Sequence, residues 1–242
     1  MKNIELTNLT QLDYPITEAM NTLCTNLSFS GRSVKKVLVT SCRAGEGKSF
    51  VSVNMARALA GDGKNVVVVD ADLRRSSMLT TYTKDRKMRG LAHYLAEQAE
   101  WESIVHQTSV DGFYIVFNGQ SVVNPHALLS TPRLGELLAQ LERTFDFVVV
   151  DSPPIGLVVD ASEIAKSCDG VVLVVTNNAI PKKEIGDALA QIERTGCPLL
   201  GSVMNKVTFE THAAKKHYYK QYYSHYSSGY YKPDSKRNLN GK

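Results

Sequence analysis

Ser41-Cys42-Arg43-Ala44-Gly45-Glu46-Gly47-Lys48-Ser49 follows an apolar run of strand length at 35–40 and opens a helical pattern over 48–59. A glycine-rich turn ending in Gly-Lys-Ser, placed between a strand and a helix, is the context that separates a phosphate-binding loop from a chance match. Gly45 and Gly47 let the backbone turn so that its N–H groups converge on phosphate oxygens, and the helix N-terminus adds a favourable dipole. Lys48 then reaches the β- and γ-phosphates of ATP, and the Ser49 hydroxyl is a ligand for Mg²⁺. One position departs from Gly-x-x-x-x-Gly-Lys-Ser/Thr: the first glycine is Cys42, a small residue that fits if its dihedrals are ordinary. The expected nucleotide-binding set is Arg43, Ala44, Gly45, Glu46, Gly47, Lys48, Ser49 and Phe50.

Outward from this loop, apolar runs recur at 35–40, 65–70, 113–117, 145–151, 170–176 and 199–205. Several are β-branched and nearly all apolar, as suits central strands buried on both faces. Helical patterns separate them, among them 48–59, closed by Gly61 and Gly63, and 181–194, closed by Gly196. The alternation predicts an α/β fold, a P-loop NTPase with a mostly parallel central sheet flanked by helices. Two of these strands end in carboxylates, Asp70-Ala-Asp72-Leu-Arg74-Arg75 and Asp151-Ser-Pro-Pro154. Parallel strands present their C-terminal ends to one crevice, so Asp70, Asp72 and Asp151 should converge beside the phosphate loop. There they can serve Mg²⁺, some of them through water.

Upstream, Ile16, Ala19, Met20, Leu23 and Leu27 repeat at helical spacing, so an amphipathic helix is expected after Pro15. The N-terminal extension and its helix are assigned to 1–33, the catalytic domain to 34–206 and a tail to 207–242. Composition sets further bounds. With 242 residues and 43% hydrophobic content the chain can close a sizeable core. No window approaches roughly 18 consecutive apolar residues and no signal peptide is evident, which predicts a cytosolic protein. Cys24, Cys42, Cys168 and Cys197 are scattered and read as reduced thiols. Of the formal charge of +4, the segment from Val207 onward carries +5 and the body −1. A basic end of this kind is commonly a solvated one, and nucleic-acid binding is not favoured.

Seven of the 11 tyrosines fall in the last 25 residues: Tyr218, Tyr219, Tyr222, Tyr223, Tyr226, Tyr230 and Tyr231. That segment is expected to be mobile and to supply phosphoacceptors, each phosphate adding about −1.5 to −2 charge, so that about three would reverse its sign. A tyrosine hydroxyl, with a pKa of about 10, gains from a carboxylate that orients it and takes its proton late. Tyr14, Tyr82, Tyr94 and Tyr114 lie in or beside apolar segments and read as packing residues. His93, His106 and His126 read as isolated, and Asp160 as a helix cap.

These residues together resemble the bacterial tyrosine kinases of capsule and exopolysaccharide gene clusters, in the separate cytosolic form of Gram-positive bacteria. The resemblance rests on Gly45-Glu-Gly47-Lys48-Ser49, Asp70-Ala-Asp72-Leu-Arg74, Asn124-Pro125 followed by Leu128-Leu129, Asp151-Ser-Pro-Pro154 and the terminal tyrosines. It implies an ATP- and Mg²⁺-dependent tyrosine kinase that phosphorylates its own tail, in trans within a homo-oligomer, and regulates polysaccharide synthesis. It also implies a membrane-spanning activator, the chain-length modulator, that recruits the kinase to the inner face of the membrane. By the same resemblance Asp70 acts as base, Asp72 and Asp151 hold Mg²⁺ with Ser49, and Asn205 contacts the adenine. Arg74 or Arg75 adds positive charge. Where the family often carries Glu-x-x-Arg-x-x-Arg, this chain reads Glu18-x-x-Asn21-x-x-Cys24, which counts against a ring built on those arginines. The alternative is a MinD- or ParA-like ATPase switch whose basic tail binds DNA or membrane; its signature lysine falls where this chain has Arg43.

Overall fold

The computed structural model describes residues 2–9, 11–31 and 33–208. Expectations for the acceptors Tyr218, Tyr219, Tyr222, Tyr223, Tyr226, Tyr230 and Tyr231 therefore lie outside the described residues. In chain order the elements are β1 (Lys2–Ile4), α1 (Tyr14–Phe29), β2 (Lys36–Ser41), α2 (Lys48–Gly61), β3 (Val66–Asp70) and α3 (Met78–Tyr82). Next come α4 (Leu91–Leu95), α5 (Trp101–Ile104), β4 (His106–Thr108), β5 (Phe113–Val116), α6 (Pro125–Leu129) and α7 (Pro132–Thr144). The last are β6 (Phe147–Asp151), α8 (Asp160–Ala165), β7 (Gly170–Thr176), α9 (Lys182–Arg194) and β8 (Leu199–Asn205).

The strands form one sheet in the order β1-β4-β5-β3-β6-β2-β7-β8. β5, β3, β6, β2, β7 and β8 run parallel, while β4 is antiparallel to β5 and carries β1 parallel to itself. This reversed edge departs from an all-parallel pattern. The valine runs of β2, β3, β6 and β7 sort by the period of two that a pleated strand imposes. Leu38, Val67, Val69, Val148, Val150, Val171 and Leu173 join one core with residues of α7, α8 and α9. Val37, Val39, Val66, Val68, Val149, Val172 and Val174 join the other with Met20, Cys24 and Leu27 of α1 and the apolar side of α2. Full burial of such a side chain contributes about 1.5–3 kcal/mol, so these four strands are the rigid base of the fold.

The N-terminal segment, expected as an extension, adds β1 to the sheet and α1 to one face. Asp13 caps α1 by accepting from the Ile16 N–H at 3.2 Å, and Pro15 sits in the first turn, where its missing N–H costs nothing. The buried seam is Met20, Cys24 and Leu27; Ile16, placed on it from spacing, is 38% exposed. Tyr82, Tyr94 and Tyr114 pack as expected, the last with its ring 5.0 Å from that of Phe145, but Tyr14 at 68% exposed does not. All four cysteines are free.

Asp169 ties the start of the loop-bearing strand to the start of β7. Its carboxylate accepts from the N–H of Lys35 at 2.9 Å and of Lys36 at 2.7 Å, and pairs with the Lys36 ammonium at 3.1 Å. Burial pushes its pKa up, yet these donors outweigh burial and hold it below the usual carboxylate value. Asp169→Ala is expected to lower the unfolding free energy by about 2 kcal/mol near neutral pH, read as an earlier urea midpoint at unchanged slope. Because the folded pKa is depressed, the contribution is present above the unfolded value of about 4 and fades as pH falls through the folded one. The gap between wild type and variant therefore closes only in acid.

Candidate active site

β6 lies between β3 and β2, and its last residue is in register with both Asp70 and Val39, so the loops after these three strands share one crevice. In the first of these loops Gly45 has φ 79° and Gly47 φ 91°, the left-handed region that favours glycine. Gly47 is needed for a second reason: a Cβ there would come within 2.2 Å of Asn205 Nδ2. Cys42 is absent from the residues of positive φ, which is why a side chain is accommodated where the pattern has its first glycine. Lys48 opens α2 and is 8% exposed, and the Ser49 hydroxyl donates to Asp151 Oδ2 at 2.5 Å.

Glu46 organises the loop. It is 2% exposed, and its carboxylate accepts from the Arg43 N–H at 2.6 Å and the Thr176 N–H at 2.7 Å, joining the loop to the end of β7. Its carbonyl accepts from Asn205 Nδ2 at 2.8 Å, and the Lys206 ammonium donates to the Gly45 carbonyl at 2.6 Å. Asn205 thus bonds the backbone of the loop after β2 and is not itself among the residues that line the adjoining cleft. Glu46→Ala strands two backbone donors, and is expected to cost about 2–4 kcal/mol of unfolding free energy and to weaken nucleotide binding, checked by thermal melts with and without ATP.

The segment after β6 is pinned to the same loop. The Ile155 N–H donates to the Ser41 carbonyl at 2.9 Å, and Thr40 Oγ1 donates to the Pro153 carbonyl at 3.0 Å. A Cβ on Gly156 would lie 2.5 Å from the Cys42 carbonyl oxygen, so glycine permits the close approach. Arg43 makes a two-point ion pair with Glu184 at the start of α9. Arg74 does the same with Asp160, its Nε donating at 2.6 Å and its Nη2 at 3.1 Å. Asp160, expected to cap a helix, instead is the fully buried first residue of α8, and its carboxylate holds Arg74 with His126 Nδ1 3.6 Å away. His126 is therefore not isolated.

The three strand-end carboxylates are not equivalent. Asp72 lines a cleft of about 800 Å³ together with Gly45, Gly47, Lys48, Ser49, Phe50, Arg74, Arg75 and Ser76. Asp151 is 1% exposed, behind Ser49, and takes a further hydrogen bond from Ser52 at 3.3 Å. Burial pushes its pKa up to about 6, against the pull of the Ser49 hydroxyl and the Lys48 ammonium. Asp70 is fully buried. Its Oδ2 accepts from the Ser76 hydroxyl and, at 3.3 Å, from the Asn118 N–H, while its Oδ1 has no hydrogen-bond partner. Burial first, and then the charge of Asp151, raises its pKa well above the usual range. Sequence reasoning missed Ser76, Glu184 and the structural role of Glu46. Nothing in their local spacing marks them, since each acts through a partner brought near by folding.

Among the described residues no three His, Cys, Asp or Glu side chains form a ready cation cage. The donor set still fits Mg²⁺, which takes a hydroxyl, one or two carboxylates, phosphate oxygens and water. Ser49, Asp151 and Asp72 are the residues that would supply the protein share.

A family profile described as "AAA domain" matches residues 34–195. The tyrosine-protein kinase CpsD of Streptococcus agalactiae is 38% identical over 190 residues, covering 78% of this chain and 83% of the relative. The kinase domain of the Escherichia coli tyrosine kinase ETK superposes with a TM-score of 0.76 at 26% identity, over 87% of this chain and 92% of that one. MinD from Pyrococcus horikoshii, solved with Mg-ADP, shares the fold with a TM-score of 0.59 at 24% identity, over 76% of each chain. Fold alone therefore does not separate kinase from switch, but sequence kinship does: the chain belongs to the bacterial tyrosine-protein kinase family.

Proposed function

We propose that this protein transfers the γ-phosphate of ATP to tyrosine hydroxyls, those of its own residues Tyr218 to Tyr231 first, and thereby regulates capsular or extracellular polysaccharide synthesis. The observation that carries the reading is that one cleft holds both Lys48 and Ser49 of the phosphate loop and Ser76, whose hydroxyl bonds the buried Asp70. The cleft that holds the phosphate loop therefore also holds a hydroxyl that leads to the buried Asp70, which does not itself line the cleft. In the transfer the tyrosine Oη forms a bond to the γ-phosphorus as the bond to the β,γ-bridging oxygen breaks, and ADP leaves. The phenolic proton passes to Asp70 through the Ser76 hydroxyl, which gives up its own proton to the carboxylate as it takes the new one. Lys48 and the loop amides hold the phosphates in line, which is most of what phosphoryl transfer requires. Mg²⁺, where bound, neutralises charge on the phosphate oxygens; Ser49, Asp151 and Asp72 would hold it. Asn205 orients the loop beside the nucleotide, and Asp160 keeps the Arg74 side chain at the cleft mouth.

The domain limits we assign are 34–206 for the catalytic unit, with 1–33 preceding it and 207–242 carrying the acceptors. No helix among the described residues is long and apolar enough to cross a membrane. Family membership supports a cytoplasmic kinase recruited by a membrane-spanning activator, phosphorylated in trans by a second copy. Tyr218 lies 13 residues beyond Asn205, a reach of at most about 45 Å, which a neighbour's cleft satisfies as readily as its own. The test is peptide mass spectrometry of the purified protein after ATP and Mg²⁺, alone and with the cytoplasmic tail of the activator. Phosphate on Tyr218 to Tyr231 is expected. Steady ATP hydrolysis with unmodified tyrosines in both conditions would overturn the kinase reading.

A further inference from the structure

The cleft combines polar groups with an apolar ledge. Lys48 and Ser49 open α2 and Asp72 follows β3, with Phe50, Met78 and Tyr82 among their apolar neighbours, whereas the loop after β6 contributes Pro153, Pro154, Leu157 and Val158. Leu157 is 60% exposed, and Val159 two residues on is 54% exposed. Scattered exposed apolar residues are ordinary. These stand on a held backbone: the Leu157 and Val158 N–H groups donate to the Pro154 carbonyl at 3.1 and 3.3 Å, and Ile155 between them and the strand is fully buried. A stiff apolar ledge beside a polar reaction site is prepared to bind, since little ordering entropy remains to be lost.

Six of the seven terminal tyrosines fall in adjacent pairs, Tyr218-Tyr219, Tyr222-Tyr223 and Tyr230-Tyr231. In an extended peptide neighbouring side chains point to opposite faces. When one tyrosine of a pair turns its hydroxyl toward Asp72 and Lys48, the other turns away from that polar side. We propose that Leu157 and Val158 form a subsite for an aromatic residue adjacent to the acceptor, and that its occupant is the second tyrosine of each pair. This rests on the kinase reading given above. A consequence follows for the modified chain. A phosphate of charge about −1.5 to −2 is costly to lay against an apolar ledge, so once one tyrosine of a pair is phosphorylated its neighbour loses this contact and reacts more slowly.

The test uses the full chain as enzyme and synthetic peptides spanning residues 215–221, Lys-Lys-His-Tyr-Tyr-Lys-Gln. Peptides with Tyr219→Phe and Tyr219→Ala each keep Tyr218 as sole acceptor and differ only in the neighbouring ring; Tyr218→Phe and Tyr218→Ala give the reverse register. In at least one register the Phe peptide is expected to show a kcat/KM about tenfold above the Ala peptide, as for partial burial of a ring. Leu157→Ser in the enzyme should bring that ratio close to one, and Leu157→Met should restore most of it. Equal kcat/KM for Phe and Ala peptides in both registers, or a ratio that Leu157→Ser leaves unchanged, overturns the subsite. Fluorescence anisotropy with a labelled peptide carrying both Tyr218→Phe and Tyr219→Phe, against one carrying Tyr218→Phe and Tyr219→Ala, measures the same preference without transfer. Should no peptide gain phosphate, the binding comparison still decides the ledge, and the kinase reading is decided separately by the mass spectrometry of the chain's own tyrosines with and without the activator tail.

Discussion

Lys48→Met is expected to lower phosphotyrosine formation at least about 10³-fold while the fold survives. Lys48 is nearly buried at the first turn of α2, and its charge helps hold the Asp151 carboxyl ionised. Methionine keeps the length and packing of the stem but presents no charge to the phosphates. Two losses should appear together. Phosphate on Tyr218 to Tyr231 should vanish from the mass spectrum. The rise in melting temperature that ATP and Mg²⁺ give the wild type, which follows from binding only the folded state, should also disappear. Without Lys48 the Asp151 carboxyl moves further up in pKa and protonates more readily, so the ligand-free melt should shift by only a few degrees. A variant that melts normally and still phosphorylates within tenfold of wild type would remove Lys48 from the reaction.

What the chain discloses before folding follows from how local each feature is. The central strands are legible because burial on both faces demands runs such as Val66 to Val69 and Val148 to Val150, which few other environments tolerate. β1 and β4 are three residues each and largely polar, Lys2–Ile4 and His106–Thr108; they are strands only because they pair with each other and with β5. No pattern along the chain announces that, nor that the pair reverses the sheet direction. The site divides in the same way. Lys48, Ser49, Asp70, Asp72 and Asp151 stand at strand ends and loop positions that a phosphate site requires, and folding brings Lys48, Ser49 and Asp72 to one cleft with Asp151 behind Ser49. Partnerships across the chain were not legible. Glu46 meets Thr176, Arg43 meets Glu184 and Arg74 meets Asp160 over separations of 130, 141 and 86 residues. Asp160 stood in a helix-start context, and only the fold shows that its carboxylate is turned to Arg74.

Asp70→Asn is expected to move stability and activity in opposite directions, and that opposition is what identifies a functional carboxylate. Phosphotyrosine formation should fall about 10²–10⁴-fold, the usual worth of a positioned proton acceptor. At neutral pH the unfolding free energy should rise. In the wild type a fully buried carboxyl with an unpartnered oxygen sits in register beside a second buried carboxyl, and both burial and that neighbour oppose its ionisation. The uncharged amide removes the cost of burying charge, while its oxygen still accepts from the Asn118 N–H and Ser76 can turn its hydroxyl to accept from the new NH₂. Urea midpoints and initial phosphorylation rates on the same preparations give both readouts. Ser76→Ala should lower the rate by a smaller factor, because the cleft then meets Asp70 without the bridging hydroxyl. A gain in stability with loss of transfer means that the fold carries an unfavourable charge for the sake of the reaction. Were Asp70→Asn less stable and proportionately less active, Asp70 would belong to the core, and Asp72, the carboxylate that lines the cleft, would be left as the proton acceptor.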